Sequence, residues 1–338
     1  MKNVLVTGGL GFIGSHTCVE LINSGFHPIV LDNLSNSEMW IKDRIEKITN
    51  QTLTFYHGDC RDAQLLDTIF SEDQIDGIIH FAASKAVGES VAEPLKYYNN
   101  NLGGLTSILE ASTKHKCSNL VFSSSCTVYG TPDSLPVDES AMIKNAESPY
   151  GTTKIVCERI IQDLSKADPS YKSILLRYFN PIGAHESSLI GELPVGVPSN
   201  LVPFITQAAA GLRDGLTVFG DDYNTKDGSC VRDFIHVTDL AKAHIKALAF
   251  LLNENEGTCE AVNIGTGHGN TVLELITAFE KVSAQKLNYT IGKRRNGDVE
   301  AVYADATKSK KLLGWEATIS LEQALLDAWN WQKTLANN

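Results

Sequence analysis

A chain of 338 residues, 43% hydrophobic and 20% charged, has apolar material for a large domain and a smaller one, and too little charge to be disordered. Its formal net charge of −11 argues against a nucleic-acid or anionic-membrane partner, so an anionic ligand has to be met by a local cluster such as Lys293-Arg294-Arg295. Seven widely spaced cysteines without a C-x-x-C pair fit reduced thiols rather than a disulfide frame or a zinc site, and no apolar run approaches the ~20 residues that span a bilayer.

The first apolar run, residues 4–6, is too short for a signal peptide, so the expected location is the cytoplasm. It runs into Thr7-Gly-Gly-Leu-Gly-Phe-Ile-Gly14 and a helical pattern over 12–24. Further β-rich runs follow at 29–31, 53–56, 75–81, 120–122 and 174–178, with helical segments such as 62–72 and 148–168 between them. The runs do not alternate polar with apolar residues, as expected of strands covered on both faces of a parallel sheet. Residues 181–203 are rich in proline and glycine and read as a long loop. Helices are expected near 200–212, 238–252, 271–283 and 320–335, and Ser320-Leu-Glu-Gln323 has capping-box spacing. The expected fold is α/β: a doubly wound parallel Rossmann sheet with a smaller C-terminal mixed α/β substrate domain. The first domain is placed at 1–180, with segments around 233–265 packing back onto it, and the second at 181–338.

The glycine run follows a strand and opens a helix. Gly8 suits the tight turn, Gly11 a close approach of backbone to a pyrophosphate, and Gly14 a helix packed close to the sheet. Asp32 ends the next strand, eighteen residues after Gly14, where a carboxylate accepts from ribose hydroxyls and repels a 2′-phosphate. Together these predict NAD. Asp59, after the third strand, reads equally as an adenine contact or as a turn former.

Tyr150 and Lys154 share one face of a helix that starts after Pro149. The ammonium is expected to pull the phenol down from its usual ~10 toward the range of a general base. Ser125 closes the strand at 120–122, on the side of the sheet where open α/β folds bind ligands. His80 and His236 read as structural, and no histidine pair has metal-ligand spacing.

Many ordered motifs extend the pattern: Asp32-Asn-Leu-Ser-Asn36, His80-Phe-Ala-Ala83, Lys85-Ala-Val-Gly-Glu-Ser90, Ser123-Ser-Ser125, Ser148-Pro-Tyr-Gly151, Leu176-Arg-Tyr-Phe-Asn180, Val231-Arg-Asp-Phe-Ile-His-Val237 and Arg294-Arg-Asn-Gly-Asp298. Over essentially the whole chain the sequence resembles the UDP-galactose 4-epimerases, extended short-chain dehydrogenases/reductases. The resemblance implies that Tyr150 takes the proton of the sugar 4-hydroxyl, that Ser125 hydrogen-bonds the same oxygen, and that Lys154 binds the nicotinamide ribose. It adds Phe12, Ile13, Asn33, Asn36, Ser37 and Cys60 to the NAD contacts, then Phe81, Ala82, Lys85, Asn100 and Phe179. For a UDP-sugar it implies Asn180, Asn200, Leu201, Val218, Phe219, Arg232, Arg295 and Asp298, with Lys85 near the sugar. It also implies a homodimer, through a helical face between residues 93 and 169.

Two departures stand out. Val302 occupies a position where some relatives restricted to plain hexoses carry tyrosine; either valine leaves room for a 2-N-acetyl group, extending the substrates to UDP-GlcNAc and UDP-GalNAc, or it is simply core packing. Asn101-Leu-Gly-Gly-Leu105 departs from N-x-x-G-T, and helix packing is expected to absorb the change. Cys126 and Thr127 stand where related 4,6-dehydratases carry acidic residues, which weighs against elimination chemistry. A uronic-acid epimerase and a non-catalytic NAD sensor are the remaining alternatives.

Overall fold

The computed structural model describes residues 1–295 and 298–336. The chain alternates β1 (Asn3–Thr7), α1 (Phe12–Asn23), β2 (His27–Asp32), α2 (Trp40–Thr49), β3 (Thr54–His57), α3 (Ala63–Asp73) and β4 (Gly77–His80). Next come α4 (Val87–Ala92), α5 (Pro94–Tyr97), a π turn (Tyr98–Leu102), α6 (Gly103–Lys114), β5 (Asn119–Ser125), a 3-10 turn (Cys126–Tyr129), α7 (Pro149–Ala167) and β6 (Lys172–Tyr178). Beyond them lie β7 (Asn180–Ile182), α8 (Leu201–Ala209), β8 (Leu216–Phe219), β9 (Val231–Arg232), β10 (Phe234–His236), α9 (Val237–Asn253) and β11 (Thr258–Ile264). The chain closes with β12 (Asn270–Thr271), α10 (Val272–Ser283), β13 (Tyr289–Gly292), β14 (Ala301–Val302), α11 (Thr307–Leu313) and α12 (Leu321–Ala336).

Seven parallel strands form the central sheet in the order β11-β6-β5-β4-β1-β2-β3. Strand side chains alternate between faces, and both faces are apolar. Val4, Val6, Val30, Ile79 and Val121 pack with Val19, Leu240 and Leu248 from α1 and α9. Leu5, Ile29, Ile78, Leu120 and Phe122 pack with Leu66, Ile108 and Ile161 from α3, α6 and α7. This double cover explains why the strands read as continuous apolar runs. β11, absent from those runs, is an edge strand with only its last three residues buried, so its polar start hides it.

A smaller layer holds the short pairs β10-β7 and β13-β8, the set β12-β9-β14, and a separate core of α8, α10 and α12 residues that includes Ile205, Phe279 and Leu325. A complete capping box occurs at Thr271 and Glu274, opening α10. The one expected at Ser320 is half-formed: Gln323 N–H donates to Ser320 Oγ at 3.2 Å, but the Gln323 side chain turns to Asp327. Among the described residues, no helix is long and apolar enough to cross a membrane.

Candidate active site

β1 ends at Thr7 and the chain turns through Gly8, whose φ of +69° favours glycine. A Cβ on Gly14 would collide with the Gly8 carbonyl, so α1 packs against the turn only as glycine. Gly11 caps α1 in an extended conformation with no side-chain cap and no acidic residue in the first turn. The first N–H groups of α1, those of Phe12 and Ile13 among them, therefore face outward with the positive end of the helix dipole. This cradle fits a dinucleotide pyrophosphate.

Asp32 is buried at the adjoining strand end. Its Oδ2 accepts from Leu10 N–H at 3.0 Å, and Oδ1 accepts from Leu34 N–H and Ser37 Oγ, each at 2.9 Å. Oδ2 keeps acceptor capacity for a ribose hydroxyl. Asn33 donates to Asp59 at 3.3 Å, while Asn36 is exposed on the same loop. Asp59 is forked by Arg61, whose hydrogen bonds hold its carboxyl down at about 2. Its carboxylate is thus committed, and the N-cap of α3 is Asp62. Cys60 lies beside Gly104, with burial pushing its thiol up to about 12. Phe81 packs on His244, Ala82 lies against Gly8, and Phe179 is buried beneath. Asn100 donates to Ser84 and to Asn101. The departure at 101–105 is absorbed by packing of α6, whose Leu105 is buried in the core, while Asn101 of the π turn bonds Ser84 and Thr153.

Ser148 caps α7 by accepting from Gly151 N–H, and Pro149 fills the first helical position, which places Tyr150 at the mouth of the helix. Lys154, one turn on and buried, donates to the Ser123 carbonyl at 2.6 Å and lies 4.9 Å from the Phe122 ring centre and 5.9 Å from that of Tyr150. Ser125 Oγ accepts from Thr127 N–H at 3.2 Å and Thr127 Oγ1 at 3.0 Å, which leaves its own proton for the Tyr150 side. Burial pushes the Tyr150 phenol up to about 12, opposed by the Ser125 hydroxyl. Burial likewise lowers the Lys154 ammonium to about 8, opposed by Cys157 and Glu158. The expectation of a phenol lowered by its lysine is therefore corrected for the protein alone. Loss of water around both groups outweighs their mutual help, and the Lys154 ammonium is spent on Ser123.

On the substrate side, Lys85 and Asn200 meet at one oxygen of Glu192, at 3.5 and 2.6 Å. Asn200 is the N-cap of α8, Leu201 its first residue, and Asn180 N–H is bonded to the Asp233 carbonyl. Arg232 and Arg295 converge on Asp298, at 3.8 and 3.1 Å. Arg295 also lies over the exposed Phe219 ring, 5.3 Å from its centre. Arg294 instead bonds Asp222 and covers Tyr223, so the basic run does not act as one patch. Asn296 and Gly297 of the same motif lie outside the described residues. The Val218 side chain is in the core, and its backbone is paired with β13 opposite Ile291. Val302 is 6% exposed, packed among Val128, Tyr129, Val137, Phe179 and Ala304, with Cys126 alongside. His80 bonds Thr7 at 2.8 Å, and His236 caps α9 and bonds Asp327.

Sequence reasoning missed Glu192, Asn101 and a buried Glu158–Arg177 pair. Glu158 sits one turn after Lys154 and Arg177 lies within Leu-Arg-Tyr-Phe-Asn, the only signals that pointed to them.

A doubly wound sheet with a glycine cradle at its first turn, and Ser125, Tyr150 and Lys154 gathered at its strand ends, defines an extended short-chain dehydrogenase/reductase. A family model described as GDP-mannose 4,6 dehydratase matches residues 5–327. The chain is 51% identical over 334 residues to the UDP-glucose 4-epimerase of Bacillus subtilis, spanning 99% of this chain and 98% of that one. The crystal structure of UDP-glucose 4-epimerase from Bifidobacterium longum in complex with NAD+ and UDP matches at a TM-score of 0.96 and 47% identity, over 99% of each chain. That from Stenotrophomonas maltophila, with bound NAD and formylated UDP-arabinopyranose, matches at 0.97 and 45%, over 100% of this chain and 99% of the other. The chain belongs to the UDP-glucose 4-epimerase family.

Proposed function

We propose that the protein is an NAD-dependent epimerase that inverts C4 of UDP-hexoses, interconverting UDP-glucose and UDP-galactose through a transient 4-keto sugar. The observation that carries this reading is the joint placement of Ser125, Tyr150 and Lys154 beside the glycine cradle. Phe12, Ile13 and Asp32 hold NAD, which supplies a hydride acceptor restored within each cycle. Tyr150 takes the proton from the 4-hydroxyl and Ser125 bonds the same oxygen and relays the proton. Lys154 binds the nicotinamide ribose and steadies the phenolate. Residues 1–180, with the segments around 233–265 that pack back onto them, carry the dinucleotide, and the rest of 181–338 the UDP-sugar, with Arg232 and Arg295 as forks for the pyrophosphate.

The family-model description raises dehydration, but elimination needs an acid beside the catalytic serine, and Cys126 and Thr127 offer none. A valine at 302, smaller than tyrosine, extends the proposed substrates to UDP-GlcNAc and UDP-GalNAc. The protein works in the cytoplasm as a homodimer, its partner seated on the helical face between residues 93 and 169, where Leu95 is 81% exposed. The test is UDP-galactose supplied to the purified enzyme with no added NAD. UDP-glucose formed without net NADH supports the reading; a 4-keto-6-deoxy product or a pentose overturns it.

A further inference from the structure

Beneath the reacting residues lies a buried polar chain. Glu158 and Arg177 are 1% and 3% exposed and form a two-pronged pair, Arg177 Nε to Oε1 at 2.9 Å and Nη2 to Oε2 at 2.6 Å. Ser124 Oγ also donates to Glu158 Oε1. Arg177 Nη1 donates to Tyr129 OH at 3.0 Å, Tyr129 OH to Asn263 Oδ1 at 2.7 Å, and Asn263 Nδ2 to the Val137 carbonyl at 2.9 Å. Val137 in turn bridges to Ala304, beside the Val302 wall. A buried ion pair seldom stabilises more than apolar residues of the same volume, because both charges lose their water. What the fork does supply is a fixed direction.

We propose that Glu158 is a positioning residue for the C4 reaction: bonded to Arg177 of β6 and Ser124 of β5, it sets the rotation of α7, and so places Tyr150 and Lys154 against Ser125. The inference rests on the epimerase reading. Tyr150, Lys154 and Glu158 stand at i, i+4 and i+8 on α7, along one face. Two successive residues of β5 are thereby tied to the helix, Ser123 through Lys154 and Ser124 through Glu158. Without Glu158 the tie would fall to the Lys154 ammonium alone, the group the chemistry needs free to meet its ligand. Glu158 also faces Lys154 electrostatically, with Tyr150, Cys157, the Phe122 ring and buried neutral His80 as the other neighbours. Its negative charge favours the protonated amine.

Glu158→Gln, Ser124→Ala and the double variant Glu158→Gln/Arg177→Met test this by kcat, KM, NAD content and pH profile on UDP-galactose. Misplacement of reacting groups by an ångström costs on the order of 100-fold, so Glu158→Gln is expected to lower kcat by about 10- to 100-fold at unchanged KM and NAD content. Its alkaline limb moves to lower pH, because the Glu158 charge that favours the protonated Lys154 amine is lost. The double variant, which leaves no buried charge unpaired, keeps kcat low with the limb displaced as in the single variant. Ser124→Ala, which keeps the ion pair, gives a smaller loss of kcat with the limb unmoved. Parent-like kcat and limb in Glu158→Gln overturn the proposal, as does a kcat loss that only tracks lost NAD or lost folded protein. If the parent enzyme itself fails to epimerise, the epimerase reading falls first, and the two failures are told apart.

Discussion

Lys154 works against its surroundings: its ammonium is buried and its proton is held only to about 8, because burial disfavours the charged form. A base with a lowered pKa keeps its charge below that value and loses it as pH rises through it. Turnover is therefore expected to fall above about pH 8, and a pH–rate profile checks the position of that limb. In Lys154→Met the residual rate should show no such limb. Val302 presents a second residue-scale test. Its side chain is enclosed by Val128, Tyr129 and Phe179, so Val302→Tyr must push its larger ring into the neighbouring space. Turnover of UDP-GalNAc should drop by about tenfold or more while UDP-galactose is converted near the parent rate, since one pocket contact discriminates by roughly 1–3 kcal/mol. Equal loss of both substrates removes the gating role.

The helix start at Tyr150 shows how an element sets a residue. Ser148 accepts from Gly151 N–H, and replacing such a cap with alanine costs about 1 kcal/mol. Ser148→Ala should lower thermal stability by that amount and reduce kcat, because the first turn of α7 carries the phenol; calorimetry with an activity assay measures both. This start was legible in the sequence, as was the glycine turn, because caps, prolines and glycines act through local backbone chemistry. The doubly covered strands were legible too, as unbroken apolar runs. The edge strand β11 was hidden by its exposed polar start, and β9, β12 and β14, two residues each, are too short to carry any period. At the site, Tyr150 and Lys154 share a helix and were readable from spacing. Glu192, which gathers Lys85 and Asn200 from distant segments, left no spacing to read, and the direction of the Tyr150 shift depended on burial that only the folded chain defines.

For the molecule as a whole, a net charge of −11 leaves little long-range attraction for an anionic nucleotide sugar, so the proposed reading assigns capture to local cations such as Arg232 and Arg295. The exposed apolar side chains of Val91 and Leu95, 63% and 81% accessible, adjoin the face proposed to meet a second copy. Leu95→Glu should shift sedimentation from dimer toward monomer; a monomeric parent protein would refute that face. In the proposed mechanism, sheet, cradle and helix are joined by the phenol of Tyr150 facing a dinucleotide that stays in place. The direct measurement is conversion of UDP-galactose to UDP-glucose by Tyr150→Phe, with bound NAD quantified in the same sample. Loss of the hydroxyl should reduce kcat by about 100- to 10,000-fold with the NAD content unchanged, as expected for removal of a general acid–base group. Parent-like turnover in that variant would contradict the mechanism.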